Sequence, residues 1–173
     1  MLMRMRMLMR MLRTAPRGTR GARKAGVAST GSGTLLVAVD FEPASLGALE
    51  VALELGQKLD LQIVLLHIYA LPMVVYPGMA PVMAPCLPED MGTAARRATE
   101  ELAERVGAAS ALVRAGNPAQ EILKAVKELG PTLVALGTHG RKRMQRLLMG
   151  SVAEKVVRAS SAPVLVVRAR PAA

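Results

Sequence analysis

The chain holds one cysteine, Cys86, so no disulfide closes within it and no cysteine-built zinc site exists. Two histidines, His67 and His139, leave little for a metal cluster. Three aromatics, Phe41, Tyr69 and Tyr76, are too few for the stacking platform of a single-strand nucleic-acid binder. No G-x4-G-K-[S/T] occurs, which removes a P-loop hydrolase. Gly31-Ser32-Gly33 lacks the last glycine of a dinucleotide fingerprint and precedes an apolar run instead of following one.

Charge is missing from two stretches. Residues 1–33 contain no acid, and nothing between Leu61 and Pro88 carries a formal charge. The uncharged stretch is long enough to raise the question of a membrane span. Pro72, Pro77, Pro81, Pro85 and Pro88 answer it, because each removes a backbone donor and blocks a helical turn. The stretch therefore reads as a strand followed by a Met- and Pro-rich loop over Leu71–Met91. The domain is expected to be soluble, without a transmembrane segment, and cytoplasmic.

What is present suits a single folded domain: 173 residues, 51% hydrophobic and 21% charged. The net charge of +10 is concentrated at one end. Eight of the 23 basic residues lie in residues 1–33, leaving 15 against 13 acids and a net of +2 for the remainder. The high isoelectric point thus describes a tail. Six of the twelve methionines fall in MLMRMRMLMRMLR at the start. This basic extension, expected to be disordered, has three readings: an organelle presequence, a basic surface-binding segment, or a translation start that lies further on, near Val27. Ser29 to Gly33 has linker composition, and a self-contained domain spans 34–170.

Apolar runs and helical stripes alternate along that domain. Thr34–Val39 is a strand buried on both faces. Pro43 opens a helix carried by Leu46, Leu49, Ala52, Leu53 and Gly56 to about Leu59. Leu61–Tyr69 is a second buried strand. Thr93–Val106 has an amphipathic pattern with Arg96, Arg97, Glu100, Glu101 and Glu104 on the wet side. Ala109–Arg114 is a weaker strand. Asn117, Pro118 and Gln120 mark a capped helix start, Ile122, Ala125, Val126 and Leu129 its apolar stripe, and Gly130-Pro131 its stop. Thr132–Leu136 is a fourth strand, Ser151–Ser160 a helix and Pro163–Arg168 the last strand. The order βαβαβαβαβ predicts an α/β fold: a five-stranded parallel open sheet with helices on both faces, Rossmann-like. Ligands of such sheets sit beyond the carboxyl ends of the strands.

One turn has the chemistry of phosphate binding. Gly137-Thr138-His139-Gly140 follows the fourth strand, and Gly150-Ser151 opens the last helix. Glycines bring backbone N–H groups close to a ligand. Gly150, Ser151 and Val152 stand at a helix start, where unpaired N–H groups and the dipole favour an anion, and the Ser151 hydroxyl adds a donor. Arg141, Lys142, Arg143 and Arg146 surround the turn with positive charge.

The pattern G-x2-G-x9-G-[S/T] over Gly137, Gly140, Gly150 and Ser151 resembles the nucleotide-binding signature of the universal stress protein family, close in fold to the adenine nucleotide alpha-hydrolases. Residues Leu133–Arg168 resemble the family's C-terminal half. Val37-Ala38-Val39-Asp40 with Ser45 resembles its first strand and turn, Leu65-Leu66-His67-Ile68 its second strand, and Gly116-Asn117-Pro118 its third turn. The resemblance covers about Thr34–Arg168. It implies ATP binding, with Mg²⁺ or Mn²⁺ held through the phosphates. Asp40 is then the residue on the ribose or a metal-linked group, and Ala38 lies beside the base. Ile68 contacts adenine and Leu136 lines the base or ribose pocket. Gly137, Gly140, Gly150, Ser151 and Val152 hold the phosphates. It also implies a homodimer through the edge strand Val164–Val167. Two departures stand out: Thr132 where an acid is common before the fourth strand, and Glu42 after Phe41 where a small polar residue is common.

Each residue also has a plainer reading. Asp40 can cap the next segment, His67 can be a satisfied core histidine, and the glycines can be turns alone. Cys86 has no activating neighbour in sequence, and no base is placed with a nucleophile. Three functions follow: an ATP-binding, occupancy-driven regulator or stress-survival factor; a nucleotide-independent dimeric interaction module; and a slow ATP hydrolase. No specific nucleic-acid partner is expected, since the basic excess sits in the tail.

Overall fold

The computed structural model describes residues 33–70, 73–74, 82–83, 88–138 and 149–168. Strand β1 (Gly33–Val39) is the centre of the sheet. Its last five residues, Leu35 to Val39, are all buried, as an apolar run covered on both faces must be. Helix α1 (Pro43–Leu59) follows, then β2 (Leu61–Tyr69), a short pair β3 (Met73–Val74) and β4 (Val82–Met83), and helix α2 (Pro88–Val106). Next come β5 (Ser110–Ala115), α3 (Pro118–Leu129), β6 (Leu133–Gly137), α4 (Ser151–Ala159) and β7 (Val164–Val167).

The five long strands form one parallel sheet in the order β5-β2-β1-β6-β7. The chain first winds outward through β2 to β5, then crosses back to β6 and β7. Right-handed crossovers place the helices of these two halves on opposite faces. The packing agrees. Gly56 of α1 lies against Ile63 and Gly92 of α2 against Tyr69, both odd-numbered positions of β2. Val64, Leu66 and Ile68 face the other way and join Ile122, Ala125 and Val126 of α3 and Ala153 and Val156 of α4 in one apolar cluster. The reversal of direction falls between β1 and β6, so a crevice opens at their carboxyl ends.

Local sequence explains the helices. Ala44, Ala48, Ala52 and Gly56 recur every four residues on the buried side of α1. Small side chains there let the helix lie close to the sheet; a Cβ on Gly56 would come within 2.8 Å of Ile63 Cδ1. The buried Thr99 of α2 donates its hydroxyl to the Ala95 carbonyl at 2.7 Å, so its polar group is satisfied inside its own helix. Asn117 caps α3: its Oδ1 accepts from the Gln120 N–H at 3.3 Å. Gly130 ends that helix in the left-handed region at φ 55°. Asn117→Ala is expected to cost about 1 kcal/mol, the ordinary value of a lost N-cap, read as a lower midpoint in urea with an unchanged slope.

An ion cluster fastens the edge strand β5 to α3. Arg114 pairs with Glu128, and lies 3.8 Å from Glu121, which holds Lys124 at 2.6 Å. The hydrogen bond from Arg114 holds the Glu128 carboxyl below its usual range; burial opposes this, and the charges of Arg114 and Lys124 reinforce the lowering. The pair is exposed and so screened by salt.

The α/β fold and its sheet agree with the sequence reading. Two elements differ. The Pro- and Met-rich stretch contains the antiparallel pair β3–β4, with Met73 opposite Met83 and Val74 opposite Val82. Helix α2 begins at Pro88, five residues before the expected Thr93. Proline fits a first helical turn, where its missing N–H is not needed and its fixed φ suits the helix.

Candidate functional site

The site is assembled at the carboxyl ends of β1, β2 and β6 and the start of α4. At the end of β1 the chain must turn sharply into α1, and three hydrogen bonds close that turn. The Asp40 N–H donates to Ser45 Oγ at 3.1 Å, the Ser45 hydroxyl donates to the Glu42 carbonyl at 3.0 Å, and the Glu42 N–H donates to Asp40 Oδ1 at 3.0 Å. Phe41 sits between them at φ 62°. A bulky side chain in that region is strained by about 1–3 kcal/mol, which the surrounding contacts must offset.

One of those contacts comes from β2. His67 is only 4% exposed, and its Nδ1 lies 2.8 Å from the Val39 carbonyl oxygen. A carbonyl only accepts, so Nδ1 carries a proton. The Phe41 ring rests 4.9 Å from the imidazole, tilted by 59°. His67 is thus the satisfied core histidine of the plainer reading.

The end of β6 meets the same turn from the other side. A Cβ on Gly137 would lie 2.6 Å from the Ala44 carbonyl carbon, 2.7 Å from its oxygen and 2.8 Å from the Ser45 nitrogen. Only glycine lets the strand end and the first turn of α1 come this close. Thr138, buried at 4% exposure, then bridges three elements. Its N–H donates to the Val167 carbonyl of β7 at 2.9 Å, and its carbonyl accepts from the Gly150 N–H at 2.6 Å. The chain that leaves β6 is thereby tied back to the start of α4.

This tie corrects one expectation. The sequence offered Gly150, Ser151 and Val152 as three unpaired donors, whereas the Gly150 N–H is bonded to Thr138. Gly150 is the N-cap, and the first helical bond runs from the Glu154 N–H to its carbonyl at 2.9 Å. Ser151 and Val152 are the first two helical residues, whose N–H groups have no acceptor within the helix.

Among the other expected site residues, Ala38, Leu136, Ile68 and Val152 share one apolar cluster with Leu66: Ala38 and Leu136 are buried in it, and Ile68 and Val152 pack against it half-buried. They lie on the face covered by α3 and α4. Asp40 stands half-buried past the end of β1, and Ser151 is exposed. Gly140 lies outside the described residues, as do His139 and the cations Arg141, Lys142, Arg143 and Arg146. Phe41 and Thr138 stand just past strand ends, where ligands of such sheets are expected, but their roles did not show in the sequence: phenylalanine does not advertise a left-handed turn, and Thr138, like Ala44, acts through backbone atoms, which composition does not show. Among the described residues no three His, Cys, Asp or Glu side chains come together as metal ligands, and no helix is long and apolar enough to cross a membrane.

The family model described as "Universal stress protein family" matches residues 32–168. The chain belongs to the universal stress protein family. It is 30% identical over 146 residues to universal stress protein YxiE of Bacillus subtilis, covering 78% of this chain and 97% of that relative. It is 28% identical over 138 residues to universal stress protein MJ0531 of Methanocaldococcus jannaschii, covering 78% and 81%. Among solved structures, universal stress protein UspA from Lactobacillus plantarum superposes with a TM-score of 0.64 at 19% identity, covering 81% of this chain and all of that one. A universal stress protein crystallised in complex with cAMP superposes at 0.55 with 22% identity, covering 82% and 100%. At these identities the structures speak for the fold, and the five-stranded parallel sheet of this family member matches theirs.

Proposed function

We propose that this universal stress protein binds an adenine nucleotide, ATP, at the carboxyl end of β1 and β6, and acts by occupancy as a regulator in the stress response. One observation carries the reading: the apolar cluster that holds Ala38 and Leu136, with Ile68 and Val152 half-buried against it, reaches the start of α4, where the Ser151 and Val152 N–H groups lack helical partners. A flat apolar base suits the half-buried edge of that cluster and an anionic phosphate suits the helix start. Asp40, at the β1 terminus, supplies a carboxylate for a ribose hydroxyl. The Ser151 and Val152 N–H groups, with the Ser151 hydroxyl, are the donors of the phosphate site; Gly137 and Gly150 shape the chain around it, and Gly140 belongs to it by its place in the motif. Mg²⁺ or Mn²⁺ enters as a partner of the phosphates, neutralising their charge. The solved family member with cAMP supports an adenine nucleotide as the class of ligand. The protein acts in the cytoplasm as a homodimer, with β7, which ends the sheet order, pairing with a second copy.

Ser151→Asp tests the phosphate site without damaging the fold. An acid in the first turn of α4 is favourable to the helix by about 0.3–1 kcal/mol. The same carboxylate repels a triphosphate. Titration calorimetry with Mg·ATP should show affinity reduced about tenfold or more, an ordinary result for opposed charges at short range, while the melting temperature holds or rises. Unchanged affinity would place the phosphates elsewhere.

A second reading has its own support. Gly137 is explained by its packing on Ala44, and the Gly150 N–H by its bond to Thr138. Both are turns that a nucleotide-independent interaction module would also need. Native mass spectrometry of gently purified protein separates the two. Bound ATP supports the nucleotide reading, and dimers without nucleotide favour the module.

A further inference from the structure

We propose that His67 and Phe41 are positioning residues, which aim the Asp40 carboxylate into the site by gripping the β1–α1 turn from the opposite face of the sheet. The inference deepens the nucleotide reading, since it assigns to two residues outside the pocket the alignment of the ribose contact.

Strand alternation sends Leu36 and Ala38 toward α3 and α4 and Val39 to the other face; Asp40 follows just past the strand end. Phe41, at φ 62°, sets its ring against His67, at 4.9 Å. His67 stands opposite Val39 in the register of β1 and β2, and its Nδ1 holds the Val39 carbonyl at 2.8 Å. The residues on both sides of Asp40 are therefore held by one buried side chain: Val39 through its carbonyl and Phe41 through its ring. With those two fixed, Asp40 has little freedom. Its N–H is taken by Ser45 Oγ, and its Oδ1 receives the Glu42 N–H. Oδ2 takes no part in these two bonds. The strained backbone at Phe41 persists because the imidazole below it supports the ring, the situation in which strain accompanies a functional geometry. Without His67 the ring loses its seat, the turn relaxes and the carboxylate loses its aim.

The experiment compares Mg·ATP with Mg·2′-deoxy-ATP and Mg·3′-deoxy-ATP by calorimetry on the full chain, and reads amide exchange at Glu42 by NMR without ligand. Wild type should prefer ATP over at least one deoxy analogue by about tenfold or more, the usual worth of a hydrogen bond to a charged group. His67→Leu should bring that ratio to within about twofold of one, leave the deoxy analogue's own affinity within about twofold of wild type, and speed Glu42 exchange about tenfold as its bond to Asp40 loosens. His67→Asn, which keeps a donor near the Nδ1 position, should restore the ratio. A merely structural loss would weaken all three nucleotides together and spare the ratio. Phe41→Gly answers the question should His67→Leu fail to fold, because glycine adopts φ 62° without strain; it too should lose the ratio and quicken Glu42 exchange. Retention of the wild-type ratio and of slow Glu42 exchange in these variants would overturn the proposal. Should wild type bind no nucleotide, or not discriminate between sugars, the ligand reading falls by itself. Glu42 exchange then decides alone: faster in both variants supports the grip on the turn, unchanged overturns it.

Discussion

Gly137→Ala is expected to lower the unfolding free energy by about 3 kcal/mol, at the upper end of ordinary overpacking, and Gly137→Val to leave no cooperative unfolding transition. The reason is the nature of the obstacle. The atoms met by a new Cβ, at 2.6, 2.7 and 2.8 Å, are the Ala44 carbonyl and the Ser45 nitrogen. A side-chain tip could rotate away, but these are backbone atoms of the first turn of α1. They move only if the helix moves. Displacing α1 pulls Ser45 from Asp40 and Glu42, so the β1–α1 turn fails with it. Gly47 supplies the control on the same helix. Nothing lies within 4 Å of a Cβ built there, and alanine is the better helix former by roughly 0.5–1 kcal/mol. Gly47→Ala should therefore stabilise while Gly137→Ala destabilises. Urea denaturation of the two variants side by side checks the pair; a Gly137→Ala protein as stable as wild type would refute the close approach of β6 to α1.

This gives the glycine pattern a different physical meaning from the one its spacing suggests. Two of its members have architectural work. Gly137 admits α1, and Gly150 ties the start of α4 to Thr138. The N–H groups left for an anion in the described part of the motif are those of Ser151 and Val152. A ligand test aimed at Gly137 would therefore confuse folding with binding, whereas Ser151 is exposed and can be altered without disturbing the turn.

The sheet was legible because its strands are covered on both faces. Such strands read as unbroken apolar runs, and β1, β2 and β6 are runs of that kind. The capped helix α3 was legible because Asn117, Pro118, Gly130 and Pro131 each impose a backbone geometry that few other residues favour. Of the candidate site, Ala38, Ile68, Leu136 and Val152, distant in sequence, gather in one apolar cluster. What stayed hidden is set by tertiary packing. The φ of 62° at Phe41 runs against the residue's own preference and is held by His67 from another strand. The β3–β4 pair is two residues long on each side, too short for periodicity to appear, and prolines surround it. Helix α2 extends to Pro88 because the proline that argues against a membrane helix is well suited to a first helical turn.

Leu66→Ala is expected to cost about 3–5 kcal/mol, against under about 1 kcal/mol for Leu129→Ala. Both are leucines, and hydropathy alone ranks them equally. Leu66 is fully buried, and Leu129 is 42% exposed at the end of α3. The larger loss follows from position. Leu66 stands opposite Ala38 on one neighbouring strand and Leu112 on the other, within the cluster closed by Ile122 and Val126 of α3 and Val156 of α4. Deleting its side chain opens a cavity bounded by a sheet and two helices, none of which can collapse freely into it. The consequence reaches the proposed site, because Ala38 lies level with Leu66 in the sheet, and Ile68 and Leu136 share the same cluster. A void beside them lets this apolar wall shift, so ATP affinity should fall along with stability in Leu66→Ala and hold in Leu129→Ala. Denaturation midpoints and nucleotide titration on both variants give the answer. Loss of stability without loss of affinity in Leu66→Ala would mean that the nucleotide does not rest on the part of the cluster that Leu66 supports.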